Sequence, residues 1–351
     1  MADWEKNIRR VVPYTPGEQP KETGIIKLNT NENPYPPAPG VTEVIRGFEA
    51  DRLRLYPDPS ATVLVEALAK HYQLKPSQVF VGVGSDDVLA MSFLTFFNSD
   101  KPVFFPDITY SFYDVWAEVF RIPYEVQPLD EQFHIRKEDY YKENGGVIFP
   151  NPNAPTGILM GLSEIENIVA HNQDVICIVD EAYIDFGGVS ALPLIEKYDN
   201  LLIVQTFSKS RSMAGARIGY ALGSERLIGY LNDVKYSFNS YTMDQLTLLT
   251  GTAALADDAY FKDTIEKIIA TRERTREALL DLGFVVPESK SNFLFVSHPD
   301  VSAKELFAWL KERGIYVRYF DKPRIDRMLR ITIGTDDQMD QLLARLKEYL
   351  C

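Results

Sequence analysis

Hydrophobic positions along the chain fall into two rhythms. Continuous apolar runs of about five residues recur in "QVFVGVG", "PVFFP", "GVIFP", "DVICIVD" and "NLLIVQTF". Such runs predict strands buried on both faces of a sheet. Between them the apolar positions return at helical spacing. This happens from Ser60 through His71, from near Ser85 with Val88, Leu89, Met91 and Phe93 turned inward, and over "YSFYDVWAEVF". It happens again in a segment that Ser163 and Glu166 open with the spacing of a capping box. Strands alternating with helices predict an α/β fold whose sheet is parallel or mostly parallel and sandwiched by helices.

Past residue 257 the rhythm changes. A long helical pattern runs from 257 to 282 and meets a stop at Gly283. "NFLFVS", a helix near 302–313, "GIYVRYF", "MLRITIG" and a terminal helix follow, in an α+β order. We therefore expect three parts. Residues 1–46 form an N-terminal arm and a piece of a small domain, 47–256 form a large domain, and 257–351 form a linker helix and the rest of the small one. The Pro-rich "NENPYPPAPG" reads as extended chain.

Composition narrows the partners. The 351 residues are 45% hydrophobic, enough to bury a large core, and carry a formal charge of −13. That balance argues against nucleic acid or an anionic membrane, which need clustered Lys and Arg. Two cysteines make no disulfide framework, and no run approaches the ~18 apolar residues of a membrane span. "MADWEKNIRRVVPY" lacks the apolar core of a secretory signal, so cytoplasm is the expected compartment. No metal is expected.

The polar features of interest sit where strands end, which is where open α/β sheets place ligand crevices. In "GVGSDD" the amides of Gly84, Ser85 and Asp86 open a helix and suit one phosphate, although a plain turn capped by Ser85 would look the same. No Gly-Lys-Ser/Thr follows, so this is not a nucleotide loop. "IVDEAYIDF" ends an apolar strand with Asp180, Glu181 and Tyr183, and a carboxylate at that depth calls for a cation or several donors. Lys209 ends the next strand, beside the hydroxyls of Thr206 and Ser208 and eight residues before Arg217. A partly desolvated amine there can attack a carbonyl, and a guanidinium beside it can take a phosphate. A buried acid, an amine and a cradle for one phosphate are together what pyridoxal 5′-phosphate requires.

On these motifs, together with "KLNTNENPYPP", "RLYPDP", "FPDITYSFY", "NPNAPTG", "SNFLFV" and "LRITIG", the chain resembles the fold-type I pyridoxal-phosphate enzymes, specifically the class I and II aminotransferases and their histidinol-phosphate branch. The motifs occur in the family's order over nearly the whole chain. The resemblance implies that Lys209 holds the cofactor through its amine, Asp180 pairs the ring nitrogen, Tyr183 bonds the ring hydroxyl and Tyr110 stacks on the ring. Gly84, Ser85, Asp86, Thr206, Ser208 and Arg217 would hold the phosphate, and Tyr56 would reach it from the second subunit of a homodimer with shared active sites. Ala154 stands where the family often has an asparagine that touches the ring hydroxyl, so either Asn153 or another group takes that contact or Tyr183 serves alone, and Asn153 is carried as a candidate. Arg330 would take the substrate's phosphate or carboxylate, with Arg318, Asn33 and Tyr56 beside it.

The activity so implied passes the amino group of L-histidinol phosphate to 2-oxoglutarate. Aromatic amino-acid transamination and decarboxylation of threonine phosphate are rivals with the same cofactor shell. A non-catalytic regulatory module on this fold is the alternative of another class, disfavoured because Lys209 is present.

Overall fold

The computed structural model describes residues 3–351. Twelve strands and ten α-helices follow in chain order among these residues: β1 (Ile26–Lys27), α1 (Pro39–Gly47), α2 (Thr62–Tyr72), β2 (Val79–Gly82), α3 (Ser85–Phe96), β3 (Val103–Pro106), α4 (Tyr113–Phe120), β4 (Tyr124–Gln127), β5 (Gly146–Pro150), α5 (Leu162–His171), β6 (Cys177–Asp180), β7 (Leu201–Thr206), β8 (Gly219–Leu222), α6 (Glu225–Phe238), α7 (Gln245–Ala256), α8 (Asp258–Asp281), β9 (Phe293–Val296), α9 (Ala303–Glu312), β10 (Ile315–Tyr316), β11 (Arg318–Tyr319), β12 (Leu329–Thr332) and α10 (Asp336–Leu350).

Seven strands form one sheet in the order β2-β8-β7-β6-β5-β3-β4. All neighbours pair in parallel except β8, which runs antiparallel to both β2 and β7. The apolar runs form its centre: every residue of β2, β3, β5, β6 and β7 is buried. Period-two alternation divides them between two layers. Val79, Val147, Val179 and Ile203 face a cluster that includes Leu64, Ile165 and Leu248 of α2, α5 and α7. Phe80, Ile148, Ile178 and Val204 face the other, with Leu89, Trp116 and Leu231 of α3, α4 and α6. Two strands had no apolar run to announce them. β4 is an edge strand with three exposed residues, and β8 starts in a Gly- and Ala-rich stretch.

The remaining strands make a three-stranded antiparallel sheet, β11-β12-β9, and a short parallel pair, β1 with β10. A separate core joins them to α8, α9 and α10, and it reaches Ala154, Tyr183 and Phe186 at the edge of the large sheet. The segment after β1 threads through this layer: Thr332 N–H donates to Leu28 O at 3.0 Å and Asn292 Nδ2 to Asn31 O at 2.9 Å. Gly283, at φ +85°, closes α8 as expected.

Three local expectations are corrected. Helix α5 starts at Leu162 behind Gly161, whose N–H is capped by Glu164, while Glu166 instead binds Lys197 and Tyr198. Helix α2 is opened by Asp58, whose carboxylate takes the N–H groups of Ser60 and Thr62, rather than by Ser60 itself. Helix α4 begins only at Tyr113, which leaves Tyr110 on a loop.

Candidate active site

The five buried strands β2, β3, β5, β6 and β7 all run the same way, so their C-terminal ends share one edge. The antiparallel β8 begins at that edge, with Gly219 opposite both Gly82 and Thr206. This is why Arg217, just before β8, returns to the strand end that carries Lys209. A cavity of about 390 Å³ opens there, lined by Asp86, Tyr110, Tyr183, Lys209, Arg217, Arg318 and Arg330, with Ala154, Thr30 and Tyr14 among their neighbours. Lys209 Nζ donates to Thr30 O at 3.2 Å and lies 5.8 Å from the centre of the Tyr183 ring. Another cavity, of about 560 Å³, is lined by Glu131–His134 and Val285–Glu288 and collects none of these residues.

One pole of the cavity is built on the turn after β2. Gly84 has φ +85°, and a methyl added to it would come within 2.4 Å of Arg217 Nη2. A methyl on Gly219 would lie 2.2 Å from the carbonyl carbon of Gly84 and the nitrogen of Ser85. Glycine at both positions lets turn, strand and guanidinium close around a small space. No side chain caps α3, so its first-turn N–H groups stay available to a ligand. Arg217 binds Asp86 Oδ2 at 3.0 Å and Ser208 Oγ at 3.3 Å. Thr206 Oγ1 donates within hydrogen-bond range of Ser208 Oγ and Ile218 O. Asp86 also accepts from Tyr110 OH at 2.6 Å. Burial foremost, and then this carboxylate, push the Tyr110 phenol well above its ordinary pKa, so it stays a neutral donor.

The acidic strand end splits by alternation. Asp180 follows Ile178 to the α3 and α4 face, where Tyr113 OH donates to Oδ2 at 2.9 Å and Ala182 N–H to Oδ1 at 3.2 Å. Burial raises its carboxyl to about 6; the two hydrogen bonds and the more distant Lys209 only partly offset that. Glu181 follows Val179 to the opposite face. It takes Ser190 Oγ, Ala191 N–H and Gln205 Nε2, and burial carries it to about 7. It is a strut between strand ends rather than a member of the cavity.

The other pole is cationic. Arg318 and Arg330 are register partners across β11 and β12. Arg330 is half-buried between the Phe293 and Phe320 rings, 5.3 and 5.7 Å from their centres. Its Nη2 donates to Asn29 O at 2.9 Å, and its Nε has no partner. Among the described residues neither guanidinium has an ion pair with a carboxylate. Burial, with Arg318 adding, lowers the pKa of Arg330, which nonetheless remains charged at neutral pH.

Eight expected residues stand outside the lining: Gly84, Ser85, Asp180, Thr206 and Ser208, already placed above, and Asn153, Asn33 and Tyr56. Asn153 is spent inside its own loop: Nδ2 donates to Ile108 O and Thr156 Oγ1, and Oδ1 accepts from Thr109 Oγ1. With that amide engaged there, Ala154 is the loop residue that lines the cavity. Asn33 bridges Ser210 O and Tyr35 N–H. Tyr56 is 80% exposed and rests against Tyr241. Conversely, Tyr113, Asn31 and Tyr14 belong to the site or its supports and were not singled out from sequence. Each lies inside or beside a quoted motif, but only the tertiary contacts separate it from its neighbours.

The donor set fits pyridoxal 5′-phosphate. The glycine cradle at Arg217 suits one phosphate, the buried Asp180 is short of a cation, and Lys209 supplies an amine in the same cavity.

Comparison with known proteins agrees. The model of the family "Aminotransferase class I and II" matches residues 23–346. The chain is similar to the histidinol-phosphate aminotransferase of Lactococcus lactis subsp. cremoris (strain MG1363), 54% identical over 347 residues covering 99% of this chain and 98% of that one. It is similar to that of Clostridium acetobutylicum, 53% identical with 99% of each covered. Among solved structures it is similar to the histidinol-phosphate aminotransferase of Sinorhizobium meliloti in complex with pyridoxal-5′-phosphate, with a TM-score of 0.84, 26% identity, and 93% of this chain and 90% of that one covered.

Proposed function

Because the chain belongs to the class I and II aminotransferases, we propose that it transfers the amino group of L-histidinol phosphate to 2-oxoglutarate, a step of histidine biosynthesis. Pyridoxal 5′-phosphate is its cofactor. The observation that carries the substrate reading is the pair Arg318 and Arg330. Two adjacent guanidiniums, without a carboxylate partner among the described residues, line the cavity that holds Lys209, and they match a phosphate dianion better than a single carboxylate. Glutamate uses the same pole through a carboxylate.

When bound, the cofactor supplies an electron sink for the negative charge that develops at the amine-bearing carbon. Lys209 Nζ would hold the cofactor through its aldehyde carbon and, as a free amine, would take the proton from the donor's amine-bearing carbon. Asp180, as an anion, keeps a proton on the ring nitrogen; a cation beside it draws its raised pKa back down. Tyr183 would donate a hydrogen bond to the ring hydroxyl, and Tyr110 would hold the ring's face. Arg217, with Gly84, Ser85, Asp86, Thr206 and Ser208, binds the phosphate. Alternating donor and acceptor on one site makes the kinetics ping-pong.

A homodimer completes this reading. Tyr56, Leu53, Leu55, Tyr230, Phe238 and Tyr241 are exposed, and a second copy covers them and receives Tyr56 at its own cradle. The compartment we assign is the cytoplasm, which suits the unpaired Cys177 and Cys351; among the described residues no helix is long and apolar enough to cross a membrane.

Single-turnover reactions of the cofactor-loaded enzyme test the proposal. Histidinol phosphate should be converted to its 2-oxo product at least ~100-fold more efficiently than phenylalanine or tyrosine, from two charge-assisted bonds to phosphate. Equal rates with the aromatic amino acids would overturn the substrate. Carbon dioxide from threonine phosphate would indicate the decarboxylase.

A further inference from the structure

We propose that Asn31 is a positioning residue that sets the direction in which the Tyr183 hydroxyl donates its proton. This rests on the cofactor reading above. Asn31 is 1% exposed and sits at φ 59°, a left-handed conformation that asparagine and aspartate tolerate better than other non-glycine residues. Its Nδ2 lies 2.9 Å from Tyr183 Oη.

The hydrogen-bond network decides which end of the amide faces the phenol. Asn31 N–H donates to Thr332 Oγ1 at 3.0 Å, so the threonine hydroxyl is already an acceptor there. Its one proton goes to Asn31 Oδ1, also at 3.0 Å. With Oδ1 held by Thr332, the amide end that meets Tyr183 is NH2 and can only donate. Tyr183 Oη must accept from it, and its own proton has to point elsewhere. Phe293 holds the ring edge-on at 5.0 Å, and the open side is the cavity with Lys209. Asn292 Nδ2 fixes the Asn31 carbonyl at 2.9 Å, so the whole unit is anchored to the small-domain strands. Asn31 thus turns a two-way hydroxyl into a one-way donor aimed at the bound cofactor.

The test reads the visible absorbance of the cofactor-loaded protein against pH, which needs no amino donor. A hydrogen bond donated to the cofactor's oxygen favours the deprotonated form of its linkage to Lys209, so losing that bond raises the midpoint. Tyr183→Phe should raise it by about 1 unit. Asn31→Asp preserves the shape, the backbone conformation and the Thr332 contact but offers Tyr183 an acceptor. The phenol then turns away, and the midpoint should rise by about as much. Asn31→Ala should give a smaller rise, about 0.5 unit. In the Tyr183→Phe background neither Asn31 variant should add to the shift. Midpoints unmoved in Asn31→Asp would overturn the proposal, as would equal shifts with and without the Tyr183 hydroxyl. Were the wild-type protein to show no titratable cofactor band, the cofactor reading itself would fall, and this proposal with it.

Discussion

Replacing the two arginines of the cationic pole separates the substrate's phosphate from everything else in the site. Arg330 is half-buried, gives Nη2 to Asn29 O, and leaves a shielded Nε unpaired. A ligand phosphate can take that free donor together with one from Arg318, which faces it across the strand pair. Each charge-assisted bond contributes roughly 1.5–3 kcal/mol, and the desolvated Arg330 belongs at the upper end. Arg330→Met should therefore lower kcat/KM for histidinol phosphate by about 10²- to 10³-fold, and Arg318→Ala, more exposed, by about tenfold. Histidinol, which lacks the phosphate, is the control donor, and its kcat/KM should change less than about threefold, since no charge-assisted bond is lost. Stability should move the other way. Among the described residues neither cation is paired with a carboxylate, so removing Arg330 strands no charge and relieves its repulsion with Arg318; the melting temperature of the cofactor-free protein should hold or rise. Parallel losses for the phosphorylated and unphosphorylated donors would refute the assignment, because the guanidiniums would then be supporting the fold or the cofactor. A fall in melting temperature with Arg330→Met would refute the electrostatic part.

Other outcomes follow from the same geometry. Glu181, raised from 4.5 to about 7 by burial, contributes stability that is fully present below pH 4.5 and is lost as pH rises through 7, in all on the order of 3 kcal/mol. Urea unfolding of the cofactor-free protein should show the last ~1 kcal/mol of this fall between pH 6 and 7, above the range in which Asp180 titrates, and Glu181→Gln should abolish it while costing about 1–3 kcal/mol through the mismatched amide. Gly219→Ala pushes a methyl against the Gly84 carbonyl carbon and Ser85 nitrogen, so cofactor affinity should fall at least ~10-fold, the factor for ~1.4 kcal/mol. Gly215→Ala, with nothing within 4 Å of the added carbon, is the control that should leave affinity unchanged. Tyr113→Phe removes the hydrogen bond that helps keep Asp180 ionised. Cofactor affinity measured by fluorescence quenching should drop by roughly tenfold, a loss of about one charge-assisted bond, and more steeply toward pH 6.

Local pattern carried a large share of this. Each buried parallel strand is a short apolar run, and the chemistry at its end is written in the next few residues: Asp180 after β6, Lys209 after β7, Gly84 to Asp86 after β2. Such signals survive because a doubly buried strand must be apolar along its whole length and its terminus is where polar groups first become permissible. Edge strand β4 and the Gly-rich β8 escape the same reading, since one is half solvated and the other is shaped by the backbone that crosses it.

What only the tertiary structure decided is which of many polar residues meet. The antiparallel course of β8 carries Arg217 back to the cradle, and pairing of β11 with β12 sets Arg318 beside Arg330. Two asparagines in quoted motifs trade places: Asn153 turns into its loop, while Asn31, 152 residues before Tyr183, takes hold of that phenol. Side-chain hydrogen bonding at such separations depends on register and loop course, which no local periodicity encodes. Residue types along the chain determined the cofactor class and the strand ends that serve it; the crossing of distant segments determined the charge pattern on which the proposed substrate rests.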